Sequence, residues 1–230
     1  MKNAVEIIRS TRFVEDSVDL IISAGNEAIK RSGIFRLGLA GGNTPRAIYA
    51  ALAARAESVE WAKVQITFGD ERCVAPDHAD SNYRMALESM LSKVPIPEGN
   101  VFRICGEIDP EAAAQDCESR LRAVADRMGE PIYAHDLMLL GMGPDGHTAS
   151  LFPGSDAMEE KSRWVVPTIG PKPPPQRITF TFPLLNAARK VVFLVNDASK
   201  ESMVQEVIRG EFPAGKVRPE CGQVIWVLGQ

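Results

Sequence analysis

Short apolar runs rich in β-branched residues recur along the chain: RLGLA at 36–40, VQITFG at 64–69, DLMLLG at 136–141, WVVPTI at 164–169, RITFTF at 177–182, KVVFLV at 190–195 and QVIWVL at 223–228. Several are apolar at both alternate positions, as strands covered on both faces must be. Longer stretches with helical spacing lie between them. Val14, Val18, Ile21, Ile22 and Ile29 line one face of a helix that should stop at Gly33. Tyr83, Leu87, Met90 and Leu91 form a second stripe. Ala113, Cys117, Leu121, Val124 and Met128 form a third, opened by Asp109 as N-cap and Pro110 at the first helical position. Met203, Val204, Val207 and Ile208 predict a last helix ending near Gly210. This alternation predicts an α/β fold, a single domain over residues 1–230 with a mostly parallel central sheet flanked by helices on both faces in the Rossmann-like manner. The stripes are read as core, and their Met and aromatic members receive no chemical role.

Composition narrows the function without naming it. The chain has 230 residues, 45% hydrophobic and 24% charged, which suits one ordinary globular domain with a substantial core. MKNAVEIIRS lacks the apolar centre of a secretion signal and no apolar run reaches membrane-spanning length, so the expected compartment is the cytoplasm, with no membrane partner. Cys73, Cys105, Cys117 and Cys221 show no C-x-x-C spacing, so free thiols are expected and neither a metal cage nor a redox pair is indicated. A net charge of −4 provides no general field for nucleic acid. The sequence is silent on oligomeric state and is compatible with a monomer. An anionic ligand would have to be held by local groups.

Such groups occur immediately after predicted strands, where an open α/β sheet places its ligand crevice. In AGGNTPRAIYAAL, 40–52, Gly41 and Gly42 permit a tight turn, Thr44 is read as N-cap and Pro45 as the first helical residue. Free N–H groups at such a helix start can hold a phosphate, although many capped turns hold nothing. GDERCVAPDHADSNY, 69–83, sets Asp70, Glu71 and Arg72 at a strand end. Lys172 and Arg177 flank a proline-stiffened segment, and Lys200 opens the last long helix.

GMGPDGHTASLFPG, 141–154, contains the G-x-G-x-x-G spacing of a dinucleotide loop. A dinucleotide loop leads into a long helix, and an acidic residue closes the following strand. Here Pro153 and Gly154 interrupt the chain, Glu159 and Glu160 precede the next strand, and Asp145 would set a carboxylate beside a pyrophosphate. The spacing is therefore read as a coincidence of glycines, and no nucleotide cofactor is expected. What remains is Asp145 and His147 separated by one glycine. Of His78, His135 and His147, only the last has this setting. A neutral imidazole is the natural general base near pH 7, and a neighbouring carboxylate fixes its tautomer and stabilises its protonated form. Ser150 is a rival nucleophile, but no G-x-S-x-G elbow surrounds it.

GGNTP, GDERCVAPDHADSNY, GMGPDGHTASLFPG and PKPPPQRITFT, in this order, resemble the 6-phosphogluconolactonase family, related to glucosamine-6-phosphate deaminases and ribose-5-phosphate isomerases. The resemblance implies hydrolysis of 6-phospho-D-glucono-1,5-lactone to 6-phosphogluconate, the second step of the oxidative pentose phosphate pathway, with no organic cofactor; for a metal, the three scattered histidines offer no ligand spacing. It implies His147 as the base that activates water and Asp145 as its support. Asp70 and Arg72 would contact the sugar lactone, Gly41, Gly42, Asn43 and Thr44 would face substrate, and Lys172, Arg177 and Lys200 would be cationic contacts. The related deaminases also carry Asp-Gly-His but continue with Asn-Glu-Pro, where this chain reads Leu151-Phe152-Pro153. That difference speaks against amine loss and isomerisation. A non-catalytic sugar-phosphate sensor is the remaining alternative, and the chain lacks a recognisable DNA-reading segment.

Overall fold

A computed structural model describes residues 5–210 and 212–230. The first four residues of the opening stretch examined for a secretion signal lie outside the described residues, as does the Ala198 side chain. Strands β1 (Val5–Ser10), β2 (Phe35–Leu39), β3 (Val64–Phe68), β5 (Leu137–Leu140), β8 (Lys190–Val195) and β9 (Gln223–Gly229) form one parallel sheet in the order β1-β9-β8-β5-β2-β3. Every residue of β2 and β5 is buried, which explains their unbroken apolar runs. After β2 the chain first places β3 on one side and later β5 on the other. This reversal opens a crevice beyond the carboxyl ends of β2 and β5, where ligands of open α/β sheets bind.

Helix α1 (Phe13–Ser32) covers one face of the sheet, with Gly25 leaving room for the Phe35 ring. It ends as expected at Gly33, which adopts φ 76° and donates its N–H to Ile29 O. On the other face Arg36 pairs with Glu130, just beyond α4 (Pro110–Met128), and α4 itself packs on β6 (Val165–Ile169) and β7 (Gln176–Phe180). The Asp109 side chain accepts the Ala112 N–H at 3.0 Å, and Pro110 opens the helix. The remaining helices are α2 (Asn43–Ala53), α3 (Asn82–Ser89), α5 (Phe182–Leu185) and α6 (Glu201–Ile208).

Several sequence expectations need correction. β6 and β7 do not join the parallel sheet; with β4 (Asp70–Arg72) they form a separate antiparallel sheet in the order β4-β7-β6. Asp70, Glu71 and Arg72, expected at the end of the strand before them, form the separate strand β4, and β1 has no counterpart among the predicted strands. Thr44 does not cap α2: Gly42 is the N-cap, and the helix begins at Asn43. Leu87 and Met128 lie on the predicted stripes but are 36% and 48% exposed: the buried face of α3 is Asn82, Met85, Ala86 and Ser89, which leaves Leu87 outside it, and Met128 is the last residue of α4.

Candidate active site

The crevice contains two adjoining lobes. The smaller, of about 190 Å³, lies among Gly41 after β2, Gly69 after β3 and Gly141, Met142 and Gly143 after β5. The larger, of about 300 Å³, is bounded by Asp145, Ser150, Phe152, Lys172 and Arg177. Asp70, Arg72, His147 and Ala149 line both, so a ligand spanning the lobes meets these four side chains at its middle. A larger hollow of about 640 Å³ lies between the start of α4 and β6, but its charged lining is Asp109, Glu111 and Asp156, unsuited to an anion.

His147 is fixed by its own loop. Gly143 N–H donates to His147 O at 2.9 Å, Gly146 N–H to Gly143 O at 3.1 Å, and the Thr148 hydroxyl to Gly141 O at 2.8 Å. Gly146 adopts φ 73°. A Cβ on Gly143 would lie 2.1 Å from the imidazole, so glycine there makes space for the ring. The ring packs on Phe152 with centroids 4.6 Å apart, and Nδ1 lies 2.5 Å from Asp145 Oδ1. Donation of Nδ1–H to the carboxylate leaves Nε2 as the basic nitrogen. Burial pushes the Asp145 carboxyl up, but the hydrogen bond to His147 and its charge outweigh burial and hold it below the ordinary value. No α-helix follows this loop before β6, so the glycine spacing does not build a dinucleotide site.

The three charges of β4 have separate surroundings. Glu71 turns inward and accepts backbone N–H bonds from Arg72, Asn82 and Tyr83, each at 2.7 Å, and the Ser81 hydroxyl at 3.1 Å. It thereby closes the loop between β4 and the start of α3, and burial raises its pKa. Asp70 accepts from Asn82 Nδ2 at 3.0 Å on one oxygen and from Ser150 Oγ at 2.6 Å on the other. The sequence placed Glu71 at the strand end without its loop-closing role and did not single out Asn82, because both bond across a loop of about a dozen residues whose path no local pattern encodes. The SNY triplet directly before a helical stripe was the available signal.

Arg72 stands directly opposite Arg177 in the antiparallel β4–β7 register. Like charges in that position repel and gain from an intervening anion. Each Nε is buried without a hydrogen-bond partner; one Arg72 Nη donates to Asp80 O at 2.6 Å and one Arg177 Nη to Lys172 O at 3.3 Å. Burial first, and the Arg72 charge second, lower the Arg177 pKa. Lys172 is exposed at the rim of the larger lobe. Lys200 reaches toward the smaller lobe, 3.4 Å from Met142 O. Gly41 lines that lobe, whereas Gly42, Asn43 and Thr44 form the adjoining start of α2, where Gly42 adopts φ 103° and no side chain caps the helix. Open N–H groups therefore face outward from a helix beginning.

The model of the glucosamine-6-phosphate isomerase/6-phosphogluconolactonase family matches residues 9–226. A 6-phosphogluconolactonase of a Nostoc species is 37% identical over 99% of this chain and 96% of its own length. One from Synechocystis is 40% identical over 97% and 94%. The crystal structure of 6-phosphogluconolactonase from Thermotoga maritima superposes with a TM-score of 0.88 at 30% identity, covering 99% of this chain and 100% of that one. Matched along nearly all its length in sequence and in fold, the chain belongs to the glucosamine-6-phosphate isomerase/6-phosphogluconolactonase family.

Proposed function

We propose that this chain hydrolyses 6-phospho-D-glucono-1,5-lactone to 6-phosphogluconate with water activated by His147. Full-length likeness to enzymes named 6-phosphogluconolactonase supports the lactonase activity. The observation carrying the mechanism is the His147–Asp145 pair at 2.5 Å, placed in a cleft it shares with Arg72. Nε2 takes a proton from water as the oxygen attacks C1. The carbonyl oxygen becomes an oxyanion beside the Arg72 guanidinium, the bond from C1 to the ring oxygen breaks, and the imidazolium returns its proton to that leaving oxygen. Asp70 orients the sugar hydroxyls.

The phosphate belongs at the smaller lobe, on the uncapped start of α2 and the Lys200 ammonium. Arg177 and Lys172 then serve the other end of the ligand, which becomes a carboxylate in the product. Phe152 occupies the position where the related deaminases carry a glutamate, and it packs on the imidazole instead of offering a proton acceptor. This favours hydrolysis over isomerisation. General-base catalysis contributes about 10²- to 10⁴-fold, so His147→Ala should lower kcat by that order with KM little changed, measured by lactone hydrolysis. Near-normal kcat in that variant refutes the base assignment, and tight lactone binding without turnover in the unaltered protein favours a sensor.

A further inference from the structure

We propose that Ser150 and Asn82 are positioning residues that aim the Asp70 carboxylate at a substrate hydroxyl, an inference that rests on the lactonase reading above. Asp70 sits at the junction of the two lobes and is 8% exposed. Its two oxygens are held from opposite elements. Asn82 Nδ2, at the start of α3, donates to Oδ1 at 3.0 Å and also to the Asp70 main-chain oxygen at 2.9 Å. Ser150 Oγ, from the loop after β5, donates to Oδ2 at 2.6 Å.

Both donors are themselves locked. Ser150 is 1% exposed, and its N–H donates to Thr179 Oγ1 at 3.1 Å, on β7 opposite Asp70. Ala149, immediately before it, takes φ 48°, a backbone region that non-glycine residues rarely occupy. Asn82 is 2% exposed, its N–H donates to Glu71, and its amide fills the space that a Cβ on Gly41 would need. Each carboxylate oxygen has two acceptor positions, so one protein donor on each fixes the plane of the group and leaves acceptor capacity for ligand. This arrangement also gives Ser150 a task other than nucleophilic attack. Its proton is committed to Asp70, and no hydrogen bond joins it to His147 among the described contacts.

The test compares hydrolysis of 6-phosphogluconolactone and its 2-, 3- and 4-deoxy analogues by the unaltered enzyme, Ser150→Ala and the isosteric Asn82→Asp, which replaces a donor by an acceptor. The unaltered enzyme should lose about tenfold in kcat/KM on one deoxy analogue, in line with a hydrogen bond to a charged group. Both variants should hydrolyse the full lactone about tenfold more slowly and discriminate against that analogue by less than twofold. A merely structural role would lower activity on all substrates alike and leave the discrimination intact, which overturns the proposal. So does an unaltered enzyme indifferent to every deoxy analogue. Complete loss of turnover in Ser150→Ala together with a trapped acyl-serine in the unaltered enzyme also overturns it, in favour of a nucleophile. Ser150→Cys, close in size with a weaker donor, should discriminate to an intermediate degree and replaces the alanine variant if that one does not fold. Absence of lactone hydrolysis by the unaltered protein instead defeats the functional reading beneath the proposal.

Discussion

Replacing Asp145 by asparagine keeps the shape of the His147 partner and one acceptor oxygen, removes the charge, and turns the other oxygen into an N–H donor. In the proposed mechanism that charge stands beside an imidazole that must accept a proton. In the proposed attack Nε2 gains a proton, and the ring becomes a cation whose Nδ1 lies 2.5 Å from the carboxylate oxygen. At an effective dielectric constant of about 20, two unit charges about 4 Å apart attract by roughly 4 kcal/mol. The side chains are 27% and 42% exposed, so solvent screens much of that attraction. A charge-assisted hydrogen bond in a comparable setting contributes about 1.5–3 kcal/mol net. A loss of about 2 kcal/mol confined to the transition state lowers kcat roughly 30-fold. KM should stay within about twofold, because the proposed loss falls on the transition state and not on substrate binding. Steady-state kinetics on freshly prepared lactone, corrected for spontaneous hydrolysis, measures both parameters. Phe152 and Gly143 still restrain the ring in the variant, so misplacement of the imidazole does not confuse the result. A kcat within about threefold of the unaltered enzyme, or a loss seen only in KM, contradicts the proposed support of a developing cation.

Gly143→Ala sets a methyl group where the imidazole stands, 2.1 Å from its atoms, and should abolish most turnover while thermal unfolding changes by only a few degrees; normal kcat shows that the ring position is not critical. Lys200→Met should raise KM for the phosphorylated lactone by about tenfold and leave hydrolysis of unphosphorylated gluconolactone unaltered, as expected for loss of a charge-assisted contact. Equal losses on both substrates rule out a phosphate role for Lys200. Away from the cleft, one oxygen of Glu160 accepts the N–H groups of Lys161, Ser162 and Arg163 at 2.7–2.9 Å. These bonds, the one from Arg163 foremost, lower the carboxyl pKa to about 2 from 4.5. Because the folded value lies below the unfolded one, the carboxylate stabilises the fold fully above pH 4.5 and progressively less down to about pH 2. Thermal melts of Glu160→Ala should therefore fall below those of the unaltered protein near pH 7 and converge with them near pH 2. A gap independent of pH excludes this linkage.

What the sequence made legible follows from the distance over which each structural cause acts. The buried strands are apolar because helices or other chain cover both faces, so LMLL of β5 announces itself without any partner being known. Caps act within one turn, and Asp109, Pro110 and Gly33 were readable for that reason. Edge strand β1, in contrast, is partly exposed and carries Glu6 and Arg9, so its pattern resembles a polar terminus until its pairing with β9 is seen. β4 is three charged residues whose strand geometry is imposed by β7, more than a hundred positions away, and no local signal encodes it. The alternation of β6 and β7 marked them as strands but carried no information about which sheet they would join.

The same rule divides the candidate site. Asp145 and His147 are two residues apart, so their pairing could be read from the chain, and the strand ends located the crevice. The opposed guanidiniums of Arg72 and Arg177, and the clasp of Asn82 and Ser150 on Asp70, arise only when β4, α3, β7 and the loop after β5 meet. A catalytic group can be suggested by its neighbours in sequence. The groups that orient it and the charges that receive the ligand come from separate elements, so the selectivity of such a site is written in the packing of the two sheets and not in any single segment.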